Sequence, residues 1–193
     1  MDTGDGSKKR PKKKGKPEKS SSHWAVEVFC MAVALSAVLG LASDRALDGA
    51  GMITAFVVLL AFILLGIFFD VIGVAVTAAD EKPFHSMAAR KAPGAQEALS
   101  LIRRADRVSS FCNDVVGDIC GIIAGTTVAV IVVRLQTAFG LPAMALSLPL
   151  TALASGLTIG GKALGKSFAI AQSTAVLQLV GRFLHLFSRK KKR

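Results

Sequence analysis

MITAFVVLLAFILLGIFFDVIGVAVT, Met52 to Thr77, decides the fold. It holds one charged residue, Asp70, in 26 positions. A helix needs about 20 apolar residues to cross the hydrocarbon core of a bilayer, whereas a soluble surface helix of this length would keep a polar face. The stretch therefore reads as a membrane span. Two more runs behave alike: Trp24–Ser43, and Thr126–Gly161, which is broken by Arg134 and the Gly140-Leu141-Pro142 turn. SFCNDVVGDICGIIAG, Ser110 to Gly125, leads into the last run and belongs to the same spanning helix. Four crossings follow, at about 24–43, 52–79, 110–133 and 141–161. With 52% hydrophobic residues and a mean hydropathy of +0.52, the chain is too apolar for an ordinary soluble domain. The expected class is an all-α integral membrane protein. A cleaved signal peptide is the competing reading of Trp24–Ser43. The long polar leader, the length of the run and the want of a small-x-small site beyond Leu41–Ser43 weigh against it.

The net charge of +11 gains meaning once it is assigned to sides of the membrane. Eight Lys/Arg lie between Lys8 and Lys19, six between Asp80 and Arg107, and eight from Lys162 to Arg193. Only Arg45 and Arg134 occupy the other two connections, so 22 of the 24 basic residues share one side. The positive-inside rule makes that side the cytoplasm, with both termini on it, in the cell membrane. Residues 1–22 are expected to form a disordered basic arm lying on anionic headgroups, with 189–193 as a basic tail. No aromatic platform or fold accompanies the leader, so a nucleic-acid partner is not expected.

Between the second and third spans the pattern is amphipathic. DEKPFHSMAARKA opens with acids before Pro83 and stops at Pro93-Gly94, as a short helix does. GAQEALSLIRRADRV then places Ala98, Leu101, Ile102, Ala105 and Val108 at helical spacing, with Arg103, Arg104 and Arg107 elsewhere. Two short juxtamembrane helices are expected. Val176, Val180, Phe183, Leu184 and Phe187 make a further stripe before RKKKR, which predicts an interfacial C-terminal helix. The whole of 23–188 reads as one membrane domain. Cys30, Cys112 and Cys120 lie in spans without metal or disulfide spacing, and read as small apolar filler. His23, His85 and His185 have no metal-spaced partner and read as interfacial residues. No Ser/His/Asp, His-rich or phosphate-cradling pattern is present, so an enzyme is not expected.

The chemistry concentrates at the start of the third span. Ser110, Asn113, Asp114, Gly117 and Asp118 fall at i, i+3, i+4, i+7 and i+8, one face of an α-helix. Gly117, Gly121 and Gly125 continue it as GxxxGxxxG, a spacing that admits a second backbone. The face is expected to look into protein. A carboxylate at bilayer depth costs at least ~2.5–3.5 kcal/mol unless paired or hydrated. Asp114 and Asp118 together are best explained by a cation or a water-filled cavity between helices, with Asp70 as the third carboxylate. Oxygen donors of this kind take hard cations such as Mg²⁺ or Ca²⁺. The competing reading is that they snorkel to water or pair with Arg103, Arg104 and Arg107.

From Phe69 to Phe187, about 120 of the 193 residues, the sequence resembles the transmembrane domain shared by cyclin-M proteins and CorB/CorC-type magnesium transporters. FDVIGVAVTAAD (Phe69–Asp80) is similar without gaps to that family's FSGSETALTAAN-like stretch. FHSMAARKAPGAQEALSLIRRADRV resembles its juxtamembrane helix pair. SFCNDVVGDICG stands at its LIGNNLVN motif, with Asp118 or Val116 opposite the key asparagine according to register. GGKALGKSFAIAQSTAVLQLV resembles the region after its last span, usually GE-x-x-PK-x-x-A. Asp70 stands at the family's serine, Gly73 at its glutamate, and Lys162 and Gly165 at its Glu and Pro. Trp24–Ser43 is an extra leading span, and no cytosolic CBS pair follows. The resemblance implies the family's membrane fold, a homodimer and magnesium transport.

The expected function is therefore divalent-cation binding or transport, magnesium foremost, at Asp70, Ser110, Asn113, Asp114 and Asp118. The alternative is a non-transporting membrane interaction or regulatory protein that kept the fold; the glutamate missing at Gly73 favours it.

Overall fold

The structure, a computed structural model, describes residues 21–191. Most of the basic arm expected at 1–22, and the last two residues of the tail, lie outside them. The described chain is helical, without strands: α1 (Ser21–Leu47), α2 (Met52–Ala78), α3 (Glu81–Ala89), α4 (Ala95–Ile102), α5 (Ala105–Ser110), a π-helical segment (Phe111–Gly117), α6 (Asp118–Phe139), α7 (Ala143–Ala171) and α8 (Ser173–Lys191). Four stretches are long and apolar enough to cross a membrane: Ala25–Leu47, Met52–Ala78, Ala105–Phe139 and Ala143–Ala171. This is an all-α membrane protein with the expected four spans, short connecting helices and amphipathic C-terminal helix.

Several boundaries differ from the sequence reading, and the third span runs on to Phe139 rather than 133. The second connecting helix does not run to Val108. It ends at Ile102, the chain turns at Arg103–Arg104, and Ala105 onward already belongs to the third span. The fourth span does not stop at 161 but continues to Ala171. Gly161 and Gly165, which would weaken an isolated helix, here receive Ile67 and Val71 of α2 at their bare Cα atoms, and that packing offsets their cost. The first span extends to Leu47, which is buried with Ser43 at the α1–α2 turn.

α2 is the central helix. Its Ala55, Leu59 and Ile63 pack against Ala124, Val128, Ile131 and Val132 of α6, and Leu146, Leu150 and Ala154 of α7 close that core. α1 lies outside this trio, with Val28, Ala32, Leu35 and Leu39 against Val115, Ile119 and Ile123. At the end of the bundle carrying α3–α5 and α8, a second core joins Val76, Phe84, Ala98, Leu99 and Leu177.

Each end has its own fastening. Arg134 of α6 donates to the carbonyls of Leu47 (2.6 Å), Ala50 (2.7 Å) and Gly51 (3.3 Å), clamping the α1–α2 turn. At the other end Gly94, at φ +86°, abuts the Gly181–Arg182 backbone of α8 with no room for a Cβ on either glycine. His185 of α8 meets Glu97 of α4 at 2.8 Å beside that crossing. Burial raises the Glu97 carboxyl. The hydrogen bond from His185, a backbone hydrogen bond and the His185 charge outweigh it and hold the group below its ordinary value.

Candidate cation site

Asp70 sits two turns from the end of α2 and is only 3% exposed. Its Oδ2 is buried and has no hydrogen-bond partner. Gly73, one turn further along α2, faces the π segment, and the Asn113 carboxamide lies directly against it, with Oδ1 where a Cβ would stand. Asp70 precedes Gly73 by three residues on α2, about 5–6 Å away at Cβ. Asn113 Nδ2 donates to Ser109 Oγ at 3.3 Å, while its Oδ1 is buried and unpartnered. These two are the unsatisfied buried side-chain atoms among the described residues, and both are acceptors.

The π-helical turn places Asn113 there. Hydrogen bonds from i to i+5 widen the turn, so the regular α-helical steps behind the expected face do not hold across Phe111–Gly117. Cys112, Val115, Val116 and Gly117 turn inward, and Asp114 and Asp118 are exposed. Of the four expected site residues on this segment, Asn113 faces Gly73 of α2 and the other three do not. Ser110 and Asp114 line a separate groove of about 360 Å³ toward α1, shared with Arg107, Val28 and Met31. The glycine face also divides. Gly117 is buried against α7, but a Cβ at Gly121 or Gly125 would meet nothing within 4 Å.

Sequence reasoning missed Lys162. The extension of α7 carries it into the bundle, where it is half-buried and its Nζ lies 3.4 Å from the position a Gly117 Cβ would take. It borders a void of about 10 Å³ with Gly66, Gly117, Cys120 and Thr158, hardly room for one water. Gly66 precedes Asp70 by one turn on α2, so ammonium and carboxylate occupy successive levels of one helix interface. No carboxylate comes within ion-pair distance of Lys162 among the described residues. The sequence signal was a lone lysine inside an apolar run, read instead as the first residue after the span.

No three His, Cys, Asp or Glu side chains form a metal-binding group among the described residues. Comparison with protein-family models, curated proteins and solved structures finds no match.

Proposed function

We propose that the chain binds a hard divalent cation, magnesium foremost, between α2 and the π segment, and passes it across the membrane. The observation that carries this reading is the pair of buried acceptors, Asp70 Oδ2 and Asn113 Oδ1, left without donors at one helix interface. A buried carboxylate with no partner is costly, and a hydrated cation supplies the missing donors and charge. The π turn at the same place is in keeping with a functional site. Asp70 and Asn113 are the ligands, while Ser110, Asp114 and Asp118 lie outside the first contacts. In this reading the basic end faces the cytoplasm of the cell membrane, the basic termini rest on anionic lipids, and two copies pair, as the cyclin-M resemblance leads one to expect; the outward glycines of α6 are the surface offered for it. The test is magnesium flux into liposomes loaded with a magnesium-sensitive dye. Wild type and Asp118→Asn should transport, and Asp70→Asn should not. Wild-type flux no faster than that of empty liposomes would overturn transport.

Lys162 favours a second reading, in which its ammonium, about one turn away and not ion-paired, offsets the charge of Asp70 at longer range and the fold is a non-transporting scaffold. The two readings differ in sign. Lys162→Met should raise cation affinity if a cation shares the interface with the ammonium, because a repelling charge is removed. It should only destabilise the protein if the pair is structural.

A further inference from the structure

A groove of about 890 Å³ opens between the C-terminal half of α2, the α4–α5 turn, the π segment and α8. Phe68, Phe69 and Ile72 of α2 form its floor, and Leu179, Phe183 and Leu186 of α8 its far wall. The charged residues lining it are all arginines, Arg104, Arg107 and Arg182, each exposed. The ion pairs among the described residues are His85–Glu81 and His185–Glu97, so none of the three arginines is neutralised by a carboxylate. Phe68 and Phe69 lie ten and nine residues from the end of α2 at Ala78, a depth of roughly 14 Å at 1.5 Å per residue. That is about half the ~30 Å hydrocarbon thickness. The groove thus has an apolar interior at acyl-chain depth and a cationic rim at headgroup depth.

We propose that this groove binds one anionic glycerophospholipid, its chains against Phe68, Phe69 and Ile72 and its phosphate among the three arginines. Charge complementarity selects this occupant. Guanidinium forks match phosphate oxygens two at a time, and three unpaired forks around an apolar slot have little use for a zwitterionic or neutral molecule. A second copy of this chain is a poorer occupant, because pairing two such rims would bring six arginines together. The site is distinct from the diffuse attraction of the basic termini, since it needs the slot as well as the charge. Because α8 forms one wall, lipid in the groove fastens α8 to α2.

The experiment is lipid titration of the purified full-length protein in mild detergent, read by native mass spectrometry and by melting temperature, with phosphatidylglycerol against phosphatidylcholine. Phosphatidylglycerol should bind as one tight equivalent and raise the melting temperature; phosphatidylcholine should do neither. Arg104→Gln/Arg107→Gln/Arg182→Gln should weaken the tight equivalent about tenfold or more. Lys82→Gln/Arg90→Gln/Lys91→Gln, which removes the same charge elsewhere on the basic end, should leave it intact. Leu179→Trp, at a residue 66% exposed, narrows the slot with every arginine kept and should also expel the lipid. Equal loss in both triple variants would reduce the effect to diffuse surface charge and overturn the site. Equal binding of the two lipids, or an arginine-dependent dimer in place of bound lipid, would overturn it as well.

Discussion

Asp70, Gly73 and Asn113 show how closely α2 and the π segment meet. Gly73 is required because the Asn113 carboxamide occupies the volume of its absent side chain. Gly73→Ala should drive Asn113 away and cost about 1–3 kcal/mol by overpacking, seen as a lower melting temperature. Arg134 acts at the opposite end, where its guanidinium satisfies three carbonyls of the α1–α2 turn. Arg134→Ala should cost about 2–4 kcal/mol, part of the loss being recovered by water, and unfolding followed by circular dichroism in detergent checks it. The sequence made Asp70 and Asn113 legible, because a carboxylate and an amide inside apolar runs demand an explanation. The exposure of Asp114 and Asp118 was not legible, because a π turn has no signature in the spacing of side chains. Lys162 and Arg134 were counted as side-marking charges, and their contacts depend on which helices meet.

At the scale of elements, α8 is held to α4 by the Gly94–Gly181 backbone contact and the Glu97–His185 hydrogen bond. Glu97 has a folded-state value below its ordinary 4.5, so its contribution is present above 4.5 and lost as pH falls through the lowered value. Acidification into that range should loosen α8. Glu97→Gln should remove this pH dependence, measured as the rate of proteolysis at the α7–α8 junction, Gln172–Ser173. Gly181→Ala should loosen α8 at every pH. The amphipathic stripe announced α8, and the period of 3.6 announced α4. The break at Arg103–Arg104 was not legible, since both residues are sound helix formers and the turn exists to let Ala105 enter the span.

For the whole molecule, four spans could be read from apolar run lengths alone, because the bilayer fixes how much chain must be uncharged. How they pack could not, since apolar residues carry no address. α1 took a peripheral place and α2 a central one. The outward Gly121 and Gly125 leave a smooth strip on α6. If two copies pair there, Gly121→Leu should abolish the dimer in cross-linking and size-exclusion measurements while leaving the monomer's own packing intact. The account stands or falls on the Asp70–Asn113 interface. Its most direct test is the melting temperature of the purified protein titrated with magnesium, because a ligand bound only by the folded state must raise it. Wild type and Asp118→Asn should gain several degrees at saturating ion. Asp70→Asn should gain nothing. A wild-type protein indifferent to magnesium, or an Asp70→Asn protein stabilised as fully as wild type, would contradict the account.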